Sequence, residues 1–422
     1  MGSGWCHRPA TGPGCAVTLA WRQPGEHGLR TVRDALRWHL IGATPDRYDF
    51  SGFRGMAKAP EQAGTQVIRD LMHYGWPDDL DIWGAAFVRR FARYAAAAAR
   101  AYREMTDTVP FWCPVNEISF LARGGGDARY LNPFAQGRGF ELKVQLARAS
   151  IAVMHALRAV DPRARFVHCE PAIAVHRDPG RDRPYLEAEG WHQAQVQAFE
   201  LIMGRRWPQI GGDPSFLDIV GMNYYSNNQW IHAGPPIDVD SPFYRPLSDL
   251  VFENYGRPVL ISGTGIENDR RGGWFRHVAS EVARARKRGV QAGGICIYPI
   301  LDHLGWDNDR LCRNGLLSHK SLNGRREGGG WPPQIVGAAC SLSILGCGVV
   351  AMSPSRSTGL TMVPVQTRRL RSASVQCAAC PATDLHIQSI CIPRSYHAQT
   401  PITRQGQEEK QPTCHPPGQG GA

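Results

Sequence analysis

The chain has 422 residues, 42% of them hydrophobic and 20% charged, with twelve Trp, a composition that supports a large buried core and excludes disordered or fibrous classes for the body of the chain. A formal net charge of +11 does not mark a nucleic-acid binder, because residues 319–422 hold ten Lys/Arg against four Asp/Glu and no basic run interleaved with aromatics falls on a predicted helix. Met1 to Gly14 lacks a basic start leading into an apolar stretch, and Gly and Ser interrupt Ile335 to Met352, so neither a secretory leader nor a membrane span is expected and a cytoplasmic setting is the default.

Residues 1–27 read as an irregular segment. Cys15 to Trp21 is strand-like, but only Arg22 to Gly28 separate it from the next such run, too few residues for a crossover helix. Runs rich in Val, Ile, Leu and aromatics then follow at Leu29–Leu36, Thr65–His73, Val109–Glu117, Arg165–Glu170, Leu217–Tyr225, Pro258–Ser262 and Gly293–Leu301. Amphipathic stretches suited to helices lie between them: Ile82–Thr106 with its Ala95–Ala99 block, Leu142–Val160, His192–Arg205 and Trp274–Arg288. This alternation predicts an α/β fold, a (β/α)8 TIM barrel over residues 28–318. Seven runs leave two unpaired edges, so the first βα unit is expected to be missing or abnormal. After Leu317 the periodicity weakens and prolines recur from Pro364 to Pro417, which predicts a largely disordered tail over residues 319–422.

Cys113, Cys169 and Cys296 sit inside apolar strand-like runs and read as small buried hydrophobes. Cys377 and Cys380 form a CxxC with no second pair at zinc-like spacing, so neither a metal site nor a disulfide framework is expected. The cluster Gly124–Gly126 reads as a flexible top loop rather than a phosphate cradle, and no cofactor is called for.

Glu117 closes the run Val109-Pro-Phe-Trp-Cys-Pro-Val-Asn-Glu, which places it at the C-terminal mouth of a parallel barrel, where catalytic groups stand. Asn116 beside it can hydrogen-bond a ligand hydroxyl, and a carboxyl among aromatics has its pKa raised and can hold a proton for a leaving oxygen. The plain alternative is an Asn-Glu pair capping the next helix.

Asn116-Glu117 resembles the acid/base motif of family 1 glycoside hydrolases, the β-glucosidase type, and further segments agree with that family in order. Val32-Arg33 through Trp38 is similar to its second strand, where an arginine lies beside the nucleophile and a tryptophan closes the run. His73-Tyr74-Gly75-Trp76-Pro77 is similar to the segment whose histidine binds a sugar hydroxyl, and Asp218 to Tyr225 to the sixth-strand motif, which turns Asn223 and Tyr225 to one face. Leu301-Asp302 through Trp306 resembles the eighth-strand segment with its tryptophan platform. The resemblance implies a retaining β-glycosidase with Glu117 as general acid/base, Arg33 and Tyr225 in the catalytic group, and a carbohydrate held by His73, Trp76, Asn116, Asn223, Trp306 and Asp307. Pro258 to Gly265 departs from the family's seventh strand: Gly263 stands where the nucleophilic glutamate is expected. Glu267 and Asp269, four and six residues further on, and Glu170, at the end of another strand, are the other carboxyls that could serve. Gly305 stands where the family often places a glutamate, and Asp307 and Asp309 either take over those contacts or merely cap a turn. The vacancy at Gly263 implies impaired hydrolysis, and the alternative is a carbohydrate-binding protein without catalysis.

Overall fold

The computed structural model describes residues 31–54, 57, 65–177, 184–242, 244–247, 255–299, 302–305 and 310–315. The strands are β1 (Thr31–Ala35), β2 (Gln66–Met72), β3 (Phe111–Val115), β4 (Arg165–Pro171), β5 (Ala174–His176), β6 (Ile219–Asn223), β7 (Gln229–Ile231), β8 (Val259–Thr264), β9 (Ala292–Ile297), β10 (His303–Leu304) and β11 (Leu311–Cys312). Seven of them form one parallel sheet in the order β1-β2-β3-β4-β6-β8-β9, and each corresponds to one of the seven runs read from the sequence. The helices are α1 (Trp38–Ile41), α2 (Ala85–Arg103), α3 (Ile118–Leu121), α4 (Gly139–Val160), α5 (Pro184–Ile202) and α6 (Arg271–Lys287). α5 begins eight residues before its expected start at His192, and the other three long helices match the periodicity closely.

Strand twist curls this sheet until β9 comes round to β1, giving a nearly closed barrel. The two edges meet where the Arg33 backbone N–H reaches the Cys296 sulfur. The strand-like residues 15–21, the prolines and CxxC of the tail, and the apolar stretch 335–352 lie outside the described residues.

Two-residue alternation sorts the barrel into inside and outside. Ile68, Phe111, Val167 and Ile219 pack together as an apolar floor, with Leu260 against them. Outside, Trp112 and Phe166 pack with Phe87, Phe91 and Tyr94 of α2 and Leu146 and Leu157 of α4. Val220, Met222, Val259 and Ile261 pack with Trp274, Val278 and Val282 of α6. Trp38 belongs to this outer packing: its ring stacks on Phe91 at 4.7 Å and on Tyr94 at 5.4 Å. The glycine cluster corrects an expectation. Residues 122–127 form a turn of π-helix, and a Cβ on Gly125 would lie 2.6 Å from the Asn132 carbonyl oxygen, so these glycines serve close packing instead of freedom.

One irregularity shapes the mouth. Met222 pairs with Ile261 and Asn223 with Gly263, which leaves Ser262 as the extra residue of a bulge in β8. The bulge aims the Ser262 side chain and the Cα–H face of Gly263 toward the same neighbour, Asn223.

Two predictions follow from packing. A Cβ at Gly265 would sit 1.8 Å from the Tyr298 carbonyl oxygen, a backbone atom. Gly265→Ala is expected to cost about 3 kcal/mol or more in urea unfolding, whereas Gly263→Ala, which meets the movable Tyr225 hydroxyl, costs under about 1 kcal/mol. His168 is buried with Nε2–H donating to the Phe216 carbonyl at 3.0 Å, and burial lowers its pKa from 6.5 to about 4. Between those values the unfolded chain binds the extra proton, so stability falls as pH drops from 6.5 to 4, by about 3 kcal/mol at one pKa unit per 1.36 kcal/mol. His168→Gln keeps a donor for Phe216 and should flatten that acid limb of the stability curve.

Candidate functional site

The mouth is built from the end of β3. The ladder continues one step past the strand, with Asn116 N–H donating to the Met72 carbonyl at 3.0 Å and Glu117 N–H to the Cys169 carbonyl at 2.8 Å. Glu117 then adopts a left-handed backbone, φ 47° and ψ 64°, and holds the N-cap position of α3 without capping it. A left-handed non-glycine residue costs about 1–2 kcal/mol, which the two flanking ladder bonds offset. The carboxyl turns inward: one oxygen accepts from the Tyr74 hydroxyl and the other from Asn223 Nδ2 at 2.9 Å. Burial pushes the Glu117 pKa above the usual carboxylate range, against the opposing pull of the Tyr74 and Asn223 hydrogen bonds and of Arg33.

Below Glu117 lies a buried polar layer centred on Arg33. Its Nε donates to Asp70 Oδ1 at 2.9 Å and a terminal nitrogen lies 2.8 Å from Asp70 Oδ2. The remaining donors reach the Asn116 side-chain oxygen, Asn223 Oδ1 at 3.4 Å and the Ser262 carbonyl at 3.3 Å. Burial, the largest single influence, would lower the Arg33 pKa, but the charge and hydrogen bond of Asp70 together with Cys169 and Cys113 outweigh it and the guanidinium is raised. Asp70, although buried, is lowered by Arg33 and by His73, whose Nδ1 lies 2.7 Å from Asp70 Oδ2. Burial lowers the His73 pKa despite that carboxylate. The His73 Nε2 meets Asn116 Nδ2 at 3.2 Å, so a neutral ring with its proton on Nδ1 satisfies both contacts.

Asn223 joins this layer to Gly263. Its Oδ1 accepts from Ser262 Oγ at 2.7 Å, and a Cβ built on Gly263 would lie 3.0 Å from that same oxygen and 2.8 Å from the Tyr225 hydroxyl. Tyr225 packs edge-on against Tyr298, ring centroids 5.8 Å apart.

Of the residues read from the sequence, Glu117, Asn116, Arg33, His73, Asn223, Tyr225 and Gly263 therefore lie in one group. Trp76 does not join it. The ring is 6% exposed within the outer core, meets Phe87 edge-on and donates Nε1–H to the Leu80 carbonyl, so the expectation of a sugar-binding tryptophan there is corrected to a packing role. Trp306, Asp307 and Asp309 lie outside the described residues. Glu267 directs both oxygens to Arg310, at 2.7 and 2.9 Å, and Asp269 is exposed. Sequence reasoning assigned no role to Asp70, Tyr74 or Ser262. The signal for Asp70 was a charged residue inside an otherwise apolar strand run, and for Tyr74 its place beside His73. Glu170 is buried and accepts the Ser119 amide N–H at 3.0 Å.

Among the described residues no group of three or more His, Cys, Asp and Glu is arranged to hold a metal ion, and no helix is long and apolar enough to cross a membrane. No family model and no curated protein matches the sequence. Solved structures do match the fold. The β-glucosidase from Thermotoga maritima in complex with glucoimidazole superposes with a TM-score of 0.62 at 15% identity, over 77% of this chain and 88% of that one. The β-glycosidase from Pyrococcus horikoshii gives 0.60 at 15% identity, over 76% and 82%. The family 1 β-glucosidase from Thermotoga maritima gives 0.62 at 14%, over 78% and 86%. This chain has the TIM-barrel fold of these glycosidases.

Tyr74 donates to the Glu117 carboxyl and so favours its charged form. Tyr74→Phe is expected to raise the Glu117 pKa further, by about one unit for a lost hydrogen bond to a charged group. Carbon-13 titration of labelled glutamate carboxyls, with Glu117→Gln to assign the signal, measures it; a fall would contradict the geometry.

Proposed function

We propose that this chain takes β-glucoside-type carbohydrates in the barrel mouth, with Glu117 as the proton donor of a retaining glycosidase whose nucleophile position, Gly263, is bare. The observation that carries the reading is Asn223, one side chain that touches the Glu117 carboxyl at 2.9 Å and faces the Cα of Gly263. Retaining hydrolysis uses two carboxyls about 5–5.5 Å apart, one protonating the leaving oxygen and one attacking the anomeric carbon. A glutamate at 263 would enter the neighbourhood of the Asn223 and Tyr225 polar groups, opposite Glu117. The upward shift that burial gives the Glu117 pKa suits a proton donor. His73, Asn116 and Asn223 form one hydrogen-bonded chain beside Glu117, with Arg33 fixing the two asparagines, and a sugar hydroxyl would bind there by replacing one of its bonds. Neighbours of the same fold hold glucoimidazole and deoxynojirimycin. The free, buried Cys113 and Cys169 suit a reducing, cytoplasmic setting.

A second reading, sugar binding without turnover, is favoured by the Tyr225 hydroxyl, which overlaps the space a side chain at 263 would need. The two separate in an assay on an aryl β-glucoside. With Gly263 present, turnover should be negligible until azide is added. Azide then attacks the anomeric carbon as the glycosidic C–O bond breaks, Glu117 protonates the departing oxygen, and an α-glycosyl azide forms. Gly263→Glu should gain anion-independent hydrolysis, and Glu117→Gln should reduce the azide reaction on substrates with poor leaving groups by about 100-fold or more. A folded Gly263→Glu variant with neither activity nor glucoside binding would overturn both readings; calorimetric binding without turnover under every condition would leave only the second.

A further inference from the structure

Glu117 stands at the N-cap of α3, where a side-chain oxygen ordinarily accepts the backbone N–H of the second or third helical residue. It does not do so. The Ser119 amide, in the second helical position, donates instead to Glu170 Oε2 at 3.0 Å, a carboxyl supplied by the end of the adjacent strand β4. Glu170 is 3% exposed and reaches Ser119 across the β3–β4 seam, where Glu117 N–H is also tied to the Cys169 carbonyl. Burial pushes the Glu170 pKa up to about 7, against the opposing pull of Ser119 and of Lys143 on α4, whose ammonium donates to the Ala194 carbonyl and Gln197 Oε1, both at 2.9 Å. The mechanism proposed above makes no use of Glu170.

We propose that Glu170 is a positioning residue for Glu117: by capping α3 in its place, it frees the Glu117 carboxyl to turn into the barrel mouth toward Tyr74 and Asn223. The assignment rests on the reading of Glu117 as the acid only for its consequence in catalysis. An Asn-Glu pair at a strand end has two competing uses, helix cap and mouth-facing acid, and a single carboxyl cannot serve both. The left-handed backbone of Glu117 fits the second use, since ordinary N-caps are extended. Without an acceptor from β4, the Ser119 amide is left unpaired, and the carboxylate able to relieve it at least cost is that of Glu117 itself.

The test compares Glu170→Ala, which removes both charge and acceptor, with Glu170→Gln, which keeps an acceptor oxygen for Ser119 and removes only the charge. The carbon-13 signal of Glu117 is titrated in each, alongside a crystal structure of each variant. In Glu170→Ala the Glu117 carboxyl should swing onto the Ser119 amide and its pKa should fall by about one unit or more, because a carboxylate bound to backbone N–H is favoured in its charged form. In Glu170→Gln the carboxyl should stay on Tyr74 and Asn223 with its pKa still raised. On the Gly263→Glu background, kcat should fall at least tenfold in the alanine variant with KM little changed, and recover in the glutamine variant. An alanine variant whose Glu117 keeps both its contacts and its raised pKa overturns the proposal. The titration needs no turnover, so an inactive Gly263→Glu chain counts against the glycosidase reading and leaves this one to be decided by the carboxyl signal.

Discussion

A guanidinium held inside the barrel is the constraint on which the rest depends. Arg33 is buried together with Asp70, and an ion pair in such a place is tolerable only if the remaining donors also find partners. They find them on other strands: Asn116 beyond β3, Asn223 on β6 and the Ser262 carbonyl on β8. One side chain from β1 thus ties together the polar ends of strands far apart in sequence. Asn116 and Asn223, so fixed, face Glu117 with known orientation: Arg33 occupies their oxygens, which leaves their amide N–H groups for His73, Tyr74 and the Glu117 carboxyl.

This layer also explains what glycine does at position 263. The bulge in β8 brings Ser262 and Gly263 to the same side, and the serine takes the contact with Asn223 Oδ1. The Tyr225 hydroxyl settles beside the bare Cα. The arrangement is polar and hydrogen-bonded, and Asn223 is satisfied with no side chain contributed by residue 263. The network therefore closes through Ser262 rather than through residue 263.

The barrel edge shows the same economy. β9 reaches β1 through the Arg33 backbone and Cys296, so the interior polar layer sits beside the place where the circle comes together. The floor of Ile68, Phe111, Val167 and Ile219 lies beneath it. Water is kept from the ion pair from below by this apolar plug and from outside by the packed helices.

The linear order of residues determined much of this. Seven apolar runs with helical stretches between them specify a parallel barrel, because period and length are local properties that survive without knowledge of partners. The location of Glu117 and its neighbours at the barrel mouth follows from strand direction. Tertiary structure alone decided the rest. Whether Glu117 caps α3 or turns inward depends on Glu170, some fifty residues away and on another strand. Whether Trp76 meets ligand or core depends on where α2 packs. Asp70 and Tyr74 gain roles only when folding brings Arg33 and Glu117 to them. Hydrogen bonds and burial are relations between distant segments, and a local pattern of residue types carries no record of which segments those will be.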